Sequence, residues 1–161
     1  MESVYLETTV VSYLVSRPSV NPLVAARQEL TRQWWDLRRR NFACYVSEVV
    51  IEEAGEGDFE QAARRLGVIE GLPKLAASDE AERLSALFLE TVLPERAALD
   101  AAHLAIATVA GIQFLLTWNC AHLANAQVLD RLEPIALRAG FKLPRVCTPD
   151  ELMGVLPNDD W

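Results

Sequence analysis

Acidic and amide side chains follow three of the short apolar segments in this sequence. Glu7 comes directly after the first segment, Glu53 lies a few residues after the second, and Asn119 follows the third. If the segments are parallel strands, their carboxyl ends meet at the sheet edge where open α/β sheets bind ligands. Oxygen ligands suit a hard divalent cation, Mg²⁺ or Mn²⁺, that also binds phosphodiester oxygens. We therefore expect a cation site at this edge, with either Glu52 or Glu53 left on the surface.

A further acidic side chain, Asp100, lies inside an apolar segment. Residues 97–110 contain one other strongly polar side chain, that of His103. A carboxylate on the apolar face of a helix is costly unless something pairs with it. We therefore interpret Asp100 as a functional residue of the same site.

Both histidines stand three residues after one of these polar side chains, in Asp100-x-x-His103 and Asn119-x-x-His122. Residues at this spacing share a helix face. The histidines are then either ligands of a zinc or two-metal centre with Asp100 and Asn119, or hydrogen-bonding partners that hold the acidic ligands. The oxygen-rich ligand set favours the second interpretation.

Short apolar segments alternate with helical patterns along the chain. Strands are expected at residues 4–6, 43–46, 112–117 and 145–147, and a further one at 72–76. This alternation is typical of a parallel sheet covered on both faces. The sequence thus predicts the α/β class, as a three-layer α/β/α sandwich with a central, mostly parallel sheet.

Capping residues set the expected bounds of several helices. Asn21-Pro22 predicts the start of an amphipathic helix, and Thr8-Thr9 are expected to cap a brief helix through residue 14. A last long helix is expected over residues 121–139, kinked or split at Pro134. The expected inner face of the amphipathic helix consists of Leu23, Leu30, Trp34 and Leu37.

Composition bounds the class of protein. The chain has 161 residues, of which 51% are hydrophobic, and a formal net charge of −8. We expect a single domain over residues 1–150 and a tail over residues 151–161. The negative charge disfavours non-specific binding to duplex DNA. Apolar runs are too short to span a membrane, and three widely spaced cysteines predict reduced thiols, so we expect a cytoplasmic protein.

Four segments carry a family resemblance. They are residues 4–9 (VYLETT), 47–53 (SEVVIEE), 100–105 (DAAHLA) and 117–123 (TWNCAHL). In order and spacing they resemble the segments of PIN-domain nucleases, and the chain is most similar to VapC-type toxins of type II toxin–antitoxin systems. The resemblance implies a parallel sheet between helices and Mg²⁺- or Mn²⁺-dependent cleavage of single-stranded RNA. It also implies a small antitoxin as partner and a homodimer.

Carried over position by position, the resemblance makes Glu7, Glu53, Asp100 and Asn119 the catalytic and metal-binding residues. Glu7 stands where the family has an aspartate, and Asn119 stands where many members have a fourth acid. The site then holds three negative charges rather than four. A catalytically weakened RNA- or protein-binding module of the same fold is therefore the alternative hypothesis.

Two further sets of residues have a possible role around the site. Thr8 and Thr117 fit positions that orient the ligands or a phosphate. The basic runs at residues 38–40 and 64–65 are either solvated helix ends or guides for phosphate groups.

Overall fold

The computed structural model describes residues 1–154, and its centre is a five-stranded sheet in which all paired strands are parallel. The spatial order is β3-β2-β1-β4-β5. The strands are β1 (Glu2–Leu6), β2 (Phe42–Ser47), β3 (Lys74–Leu75), β4 (Phe114–Leu116) and β5 (Arg145–Cys147). The strands predicted from the apolar segments are confirmed, including the short one between residues 72 and 76.

Helices connect the strands and cover the sheet. They are α1 (Thr8–Val15), α2 (Pro22–Leu37), α3 (Glu48–Ala54), α4 (Phe59–Ile69), α5 (Asp79–Thr91), α6 (Ala98–Val109) and α7 (Ala126–Arg138). Helix α1 packs against α2, α3 and α4, whereas α5 packs against α6 and α7. The chain moves outward from β1 first in one direction and then in the other. Because connections between parallel strands are right-handed, this order puts the two sets of helices on opposite faces of the sheet. The predicted three-layer α/β/α sandwich is confirmed.

The core lies between the sheet and both helix layers. Val4, Tyr5 and Leu6 of β1 are buried, as are Leu115 and Leu116 of β4. Consecutive apolar residues are expected in strands that have both faces covered. The apolar runs that made these strands visible in the sequence therefore reflect their central position in the sheet.

Side-chain caps begin most of the predicted helices. The Asn21 side chain accepts hydrogen bonds from two backbone N–H groups of α2, and the Ser47 hydroxyl accepts one from Val50 in α3. Helix α1 differs from the prediction: its cap is the side chain of Glu7, not of Thr8 or Thr9. The longer Glu side chain turns back onto the Thr9 N–H, and both threonines are released for other contacts.

The last long helix is shorter than predicted. It begins at Ala126, after the Asn125 side chain accepts hydrogen bonds from Gln127 and Val128, and it continues through Pro134 without a break. Residues 120–123 form a turn instead, because Asn119 and Asn125 each cap the segment that follows. The predicted start at residue 121 is therefore wrong by five residues.

The inner face of α2 also differs from the prediction. Leu23 and Leu37 are 61% and 57% exposed, whereas Gln28, Thr31 and Trp34 are buried. Gln28 hydrogen-bonds to Ser16 and to the backbone of the α1–α2 loop, so its burial is compensated. Hydropathy identified Trp34 correctly but could not reveal a helix face that is partly polar.

The chain end is described as far as Gly154. A 3-10 turn at Pro149–Leu152 packs against α2. Residues 155–161 lie outside the described residues, so the division into a domain over 1–150 and a tail over 151–161 stays a prediction. Among the described helices, none combines the length and the apolar character that crossing a membrane requires.

Candidate active site

The predicted site residues surround the carboxyl ends of the three middle strands. Glu7 directly follows β1, α3 with Glu53 directly follows β2, and Asn119 lies just after β4. The chain leaves β1 toward β2 on one side and later returns to pair β4 on its other side. The boundary between β1 and β4 is thus the topological switch point, where open α/β sheets form a crevice.

Glu7 is buried at the crevice although its side chain ends in a carboxylate. It is 3% exposed. One carboxylate oxygen accepts the Thr9 N–H at 3.0 Å, and the other accepts the hydroxyls of Thr9 and Thr117, each at 2.5 Å. Its backbone N–H donates to the carbonyl of Leu116 at 3.0 Å, which extends the pairing of β1 with β4 by one residue. The surrounding donors therefore compensate the burial of this carboxylate.

Glu53 approaches the same place from α3. Its Oε1 accepts the Thr8 hydroxyl at 2.8 Å and also contacts Nε2 of His103. Burial of the Glu53 carboxyl raises its pKa, but the hydrogen bond and the charge of His103, with the hydrogen bond from Thr8, outweigh burial and hold the pKa below its usual range. The carboxylate form is therefore favoured.

His103 is buried beneath Glu53, and both of its ring nitrogens have hydrogen-bonding partners. Its Nδ1 lies 2.6 Å from the Tyr5 hydroxyl, which in turn lies 2.7 Å from Oγ of Ser47. Burial raises the pKa of Tyr5, so this hydroxyl keeps its proton. Tyr5 was missed in the sequence, since a tyrosine within an apolar strand has no feature that distinguishes it from core.

Asp100 and Asn119 form a second group. Nδ2 of Asn119 donates to Oδ1 of Asp100 at 2.9 Å, and Nδ1 of His122 lies 3.0 Å from Oδ2. Oδ1 of Asn119 accepts the backbone N–H groups of Ala121 and His122. Asn119 thus caps the turn after β4 and holds Asp100 at the same time.

Thr117 joins Glu7 to the pair formed by Asp100 and Asn119. Its hydroxyl donates to Glu7 and accepts the backbone N–H of Asn119 at 2.9 Å. The expectation that Thr8 and Thr117 orient acidic ligands agrees with these contacts. The Thr9 hydroxyl also accepts the backbone N–H of Trp118 at 2.9 Å, a contact that the predicted role of Thr9 as a helix cap does not include.

The histidines occupy different places. His103 contacts Glu53, whereas His122 contacts Asp100. Ligand atoms of Glu7, Glu53 and His103 lie within 4.8 Å of one another, and within residues 1–154 no second set of three His, Cys, Asp or Glu ligands is that close. The structure therefore does not bring both histidines to one metal position.

One basic run lies at the far edge of the sheet, and the other supports the end of α3. The turn Arg39–Asn41 precedes β2, so residues 38–40 lie at the opposite edge of the sheet. Arg65 donates to the backbone carbonyls of Ala54 and Glu56, where it stabilises the end of α3. Residues 38–40 are thus too far along the sheet to guide phosphate groups at the site, and Arg65 has a structural role at the end of α3.

The donor set fits a hard divalent cation. Two carboxylates converge at the crevice, and Oε2 of Glu53 accepts no hydrogen bond from residues 1–154. Carboxylate oxygens are the ligands that Mg²⁺ and Mn²⁺ prefer. Glu7 and Glu53 can therefore supply oxygen ligands at the crevice, and Asp100 on α6 is joined to Glu7 through Asn119 and Thr117.

Comparison with known proteins gives structural rather than sequence likeness. No family model matches the chain, and no curated protein matches it in sequence. One similar structure is a chain of VapBC2 from Rickettsia felis, which was solved bound to a DNA fragment from its promoter. The two chains are 13% identical with a TM-score of 0.57, and the match covers 90% of this chain and 97% of that one.

The second neighbour is Mycobacterium tuberculosis VapC20, described as a sarcin–ricin loop cleaving toxin. It is 15% identical with a TM-score of 0.56, and the match covers 74% of this chain and 92% of that one. At such identities the likeness concerns the backbone fold. In its fold, this chain resembles the VapC-type PIN-domain proteins.

Proposed function

We propose that this protein is an Mg²⁺- or Mn²⁺-dependent endoribonuclease that hydrolyses phosphodiester bonds of single-stranded RNA. The observation that carries the proposal is the convergence of Glu7 and Glu53 at the switch point of a fold resembling VapC-type proteins, with Asp100 joined to Glu7 through Asn119 and Thr117. Rigidly held carboxylates at such a crevice are typical of a metal-assisted hydrolase.

Glu7, Glu53, Asp100 and Asn119 are the residues that would hold the cation. When bound there, the cation supplies Lewis-acid polarisation of the phosphodiester and activation of water. Glu53 offers an oxygen without a hydrogen-bond partner among residues 1–154. Asn119 contributes mainly through Asp100, because its own Oδ1 already accepts two backbone N–H groups.

The biological role we propose is that of the toxin in a type II toxin–antitoxin pair, acting in the cytoplasm. Two solved structures support this: a chain from VapBC2, which was solved bound to a DNA fragment from its promoter, and VapC20, described as a sarcin–ricin loop cleaving toxin. A small antitoxin protein and a second copy of this chain are the proposed partners, with RNA as the substrate.

The test is cleavage of a mixed single-stranded RNA pool with Mn²⁺, Mg²⁺ or EDTA. Asp100→Asn is expected to lower the cleavage rate by about 100-fold or more, since it removes a charge that the cation requires. The matched control is Asp130→Asn, at an exposed position on α7 that is not one of the site residues. Cleavage that persists in EDTA, or an Asp100→Asn rate equal to wild type, would falsify the proposal.

A binding module of the same fold is the second candidate. It is favoured by one observation: Asn119 is neutral and its carbonyl oxygen is already occupied by backbone donors. A module of this kind would bind RNA equally well in EDTA and would show no rise in melting temperature with Mn²⁺. The same purified protein therefore separates the two candidates.

A further inference from the structure

A chain of hydrogen-bonded side chains lies beneath Glu53. It runs from Ser47 to Tyr5, from Tyr5 to His103, and from His103 to Glu53. Ser47 and Tyr5 are 0% exposed and His103 is 1% exposed. We call Ser47, Tyr5 and His103 the buried polar chain. Such groups are costly to bury unless each is partnered, as these are.

The direction of the last bond follows from the donor inventory. An ionised carboxylate only accepts hydrogen bonds, so Nε2 of His103 must carry the hydrogen and donate it to Glu53. A nitrogen that donates its hydrogen has no lone pair for a metal. His103 therefore acts on Glu53 and is not a third ligand beside Glu7 and Glu53.

The Thr8 hydroxyl and Nε2 of His103 fix the orientation of the Glu53 carboxylate. Oε1 is occupied by the Thr8 hydroxyl and by His103, whereas Oε2 has no hydrogen-bond partner within residues 1–154. Anchoring one oxygen leaves the other to face a cation, which lowers the cost of ordering a flexible side chain.

The chain also anchors the helix that carries Glu53. Ser47 is the N-cap of α3 and accepts the Val50 N–H at 3.3 Å, while Glu53 lies near the other end of the same helix. Tyr5 on β1 and His103 on α6 thus connect both ends of α3. Displacement of either ring would shift Glu53 relative to Glu7.

We propose that Tyr5 and His103 are positioning residues, which fix the Glu53 carboxylate for cation binding through the hydrogen bond from Nε2 of His103. This proposal rests on the proposed function, since it concerns the cation site of that function. It assigns a role to two buried side chains that touch neither RNA nor cation.

The test measures Mn²⁺ binding by calorimetry for wild type, Tyr5→Phe, His103→Leu and His103→Gln. Tyr5→Phe and His103→Leu are expected to weaken Mn²⁺ binding by about 10-fold and about 10- to 100-fold, respectively. His103→Gln keeps an N–H donor toward Glu53 and is expected to bind more tightly than His103→Leu. In the cleavage of RNA, the kcat of Tyr5→Phe and of His103→Leu is expected to fall while KM stays unchanged.

The matched control is Tyr45→Phe. Tyr45 is the register partner of Tyr5 on β2, and its hydroxyl makes no hydrogen bond within residues 1–154. Mn²⁺ binding by Tyr45→Phe is expected to equal that of wild type. If His103→Leu does not fold, Tyr5→Phe, which removes one hydroxyl, decides the question.

Several results would overturn the positioning role. One is Mn²⁺ affinity of Tyr5→Phe and His103→Leu within twofold of wild type; another is a Gln variant as weak as the Leu variant. A directly bound nitrogen in the electron spin echo spectrum of the Mn²⁺ protein would make His103 a ligand instead. Absence of Mn²⁺ binding by wild type would reject the proposed function itself, which is a separate outcome.

Discussion

Glu53 experiences two opposing effects at the scale of one residue. Its side chain is 23% exposed, and this partial burial disfavours the charged form. His103 and Thr8 contact the same carboxylate oxygen and favour the charged form more strongly, so the pKa of Glu53 is lowered. A group whose pKa is lowered by folding stabilises the fold above its unfolded-state pKa and loses this effect as the pH falls through the folded-state pKa.

We therefore predict a pH-dependent effect of Glu53→Gln on stability, measured in EDTA. The difference in the free energy of unfolding between wild type and Glu53→Gln should be largest near pH 7. It should shrink as the pH falls below the usual value of 4.5, because wild-type Glu53 then takes up a proton. Chemical denaturation at several pH values measures this difference in the free energy of unfolding. Glu52→Gln, at an exposed neighbouring position, controls for the loss of one charge; a difference that grows on acidification would contradict the prediction.

Residue type and position identified the acidic side chains but not what holds them. Glu7, Glu53 and Asp100 were visible as acids beside or within apolar segments; the structure brings Glu7 and Glu53 together and joins Asp100 to Glu7 only through Asn119 and Thr117. The contacts of Tyr5 and Thr9 join residues about 100 positions apart in the chain, as with Tyr5 to His103 and Thr9 to Trp118. A single sequence contains no signal for such long-range hydrogen bonds.

The segment between β4 and α7 shows how caps determine elements. Asn119 caps a single turn and Asn125 then caps α7. Both asparagines have equal capping propensity, so sequence alone did not decide which of them begins the long helix. The choice has a consequence for the site, because the early turn brings His122 and Asn119 back onto Asp100.

Replacing the cap of α7 should therefore destabilise the protein moderately. Asn125→Ala is expected to lower the free energy of unfolding by about 1 kcal/mol, since two N–H groups of α7 lose their acceptor. Gln127→Ala, at an exposed position of the same helix, should change it by less than about 0.5 kcal/mol. Equal values for the two variants would mean that the Asn125 hydrogen bonds contribute nothing.

At the scale of the whole molecule, one sheet and the helices on both of its faces share a single apolar core. The apolar core includes residues from β1, β2, β4 and β5 and from the helices of both layers. Alternation of apolar strands and helices is a strong signal, so the fold class was predictable from the sequence. The buried face of α2 was not, because it depends on where Gln28 finds its partners.

A shared core predicts one cooperative unfolding transition. Trp34 and Trp118 are both buried beside α2, whereas helix content reports on all helices. Tryptophan fluorescence and far-UV circular dichroism should therefore give coincident denaturation curves in EDTA. Two separated transitions would contradict the single domain expected over residues 1–150.

The three thiols differ sharply in accessibility. Burial raises the pKa of Cys44 to about 11 and that of Cys147 to about 12, whereas Cys120 is exposed beside Asn119. Thiol reagents attack the thiolate form, so the native protein has one readily alkylated position. A maleimide dye attached there would lie at the rim of the crevice, where its emission would report the arrival of RNA or of a protein inhibitor without any engineered cysteine.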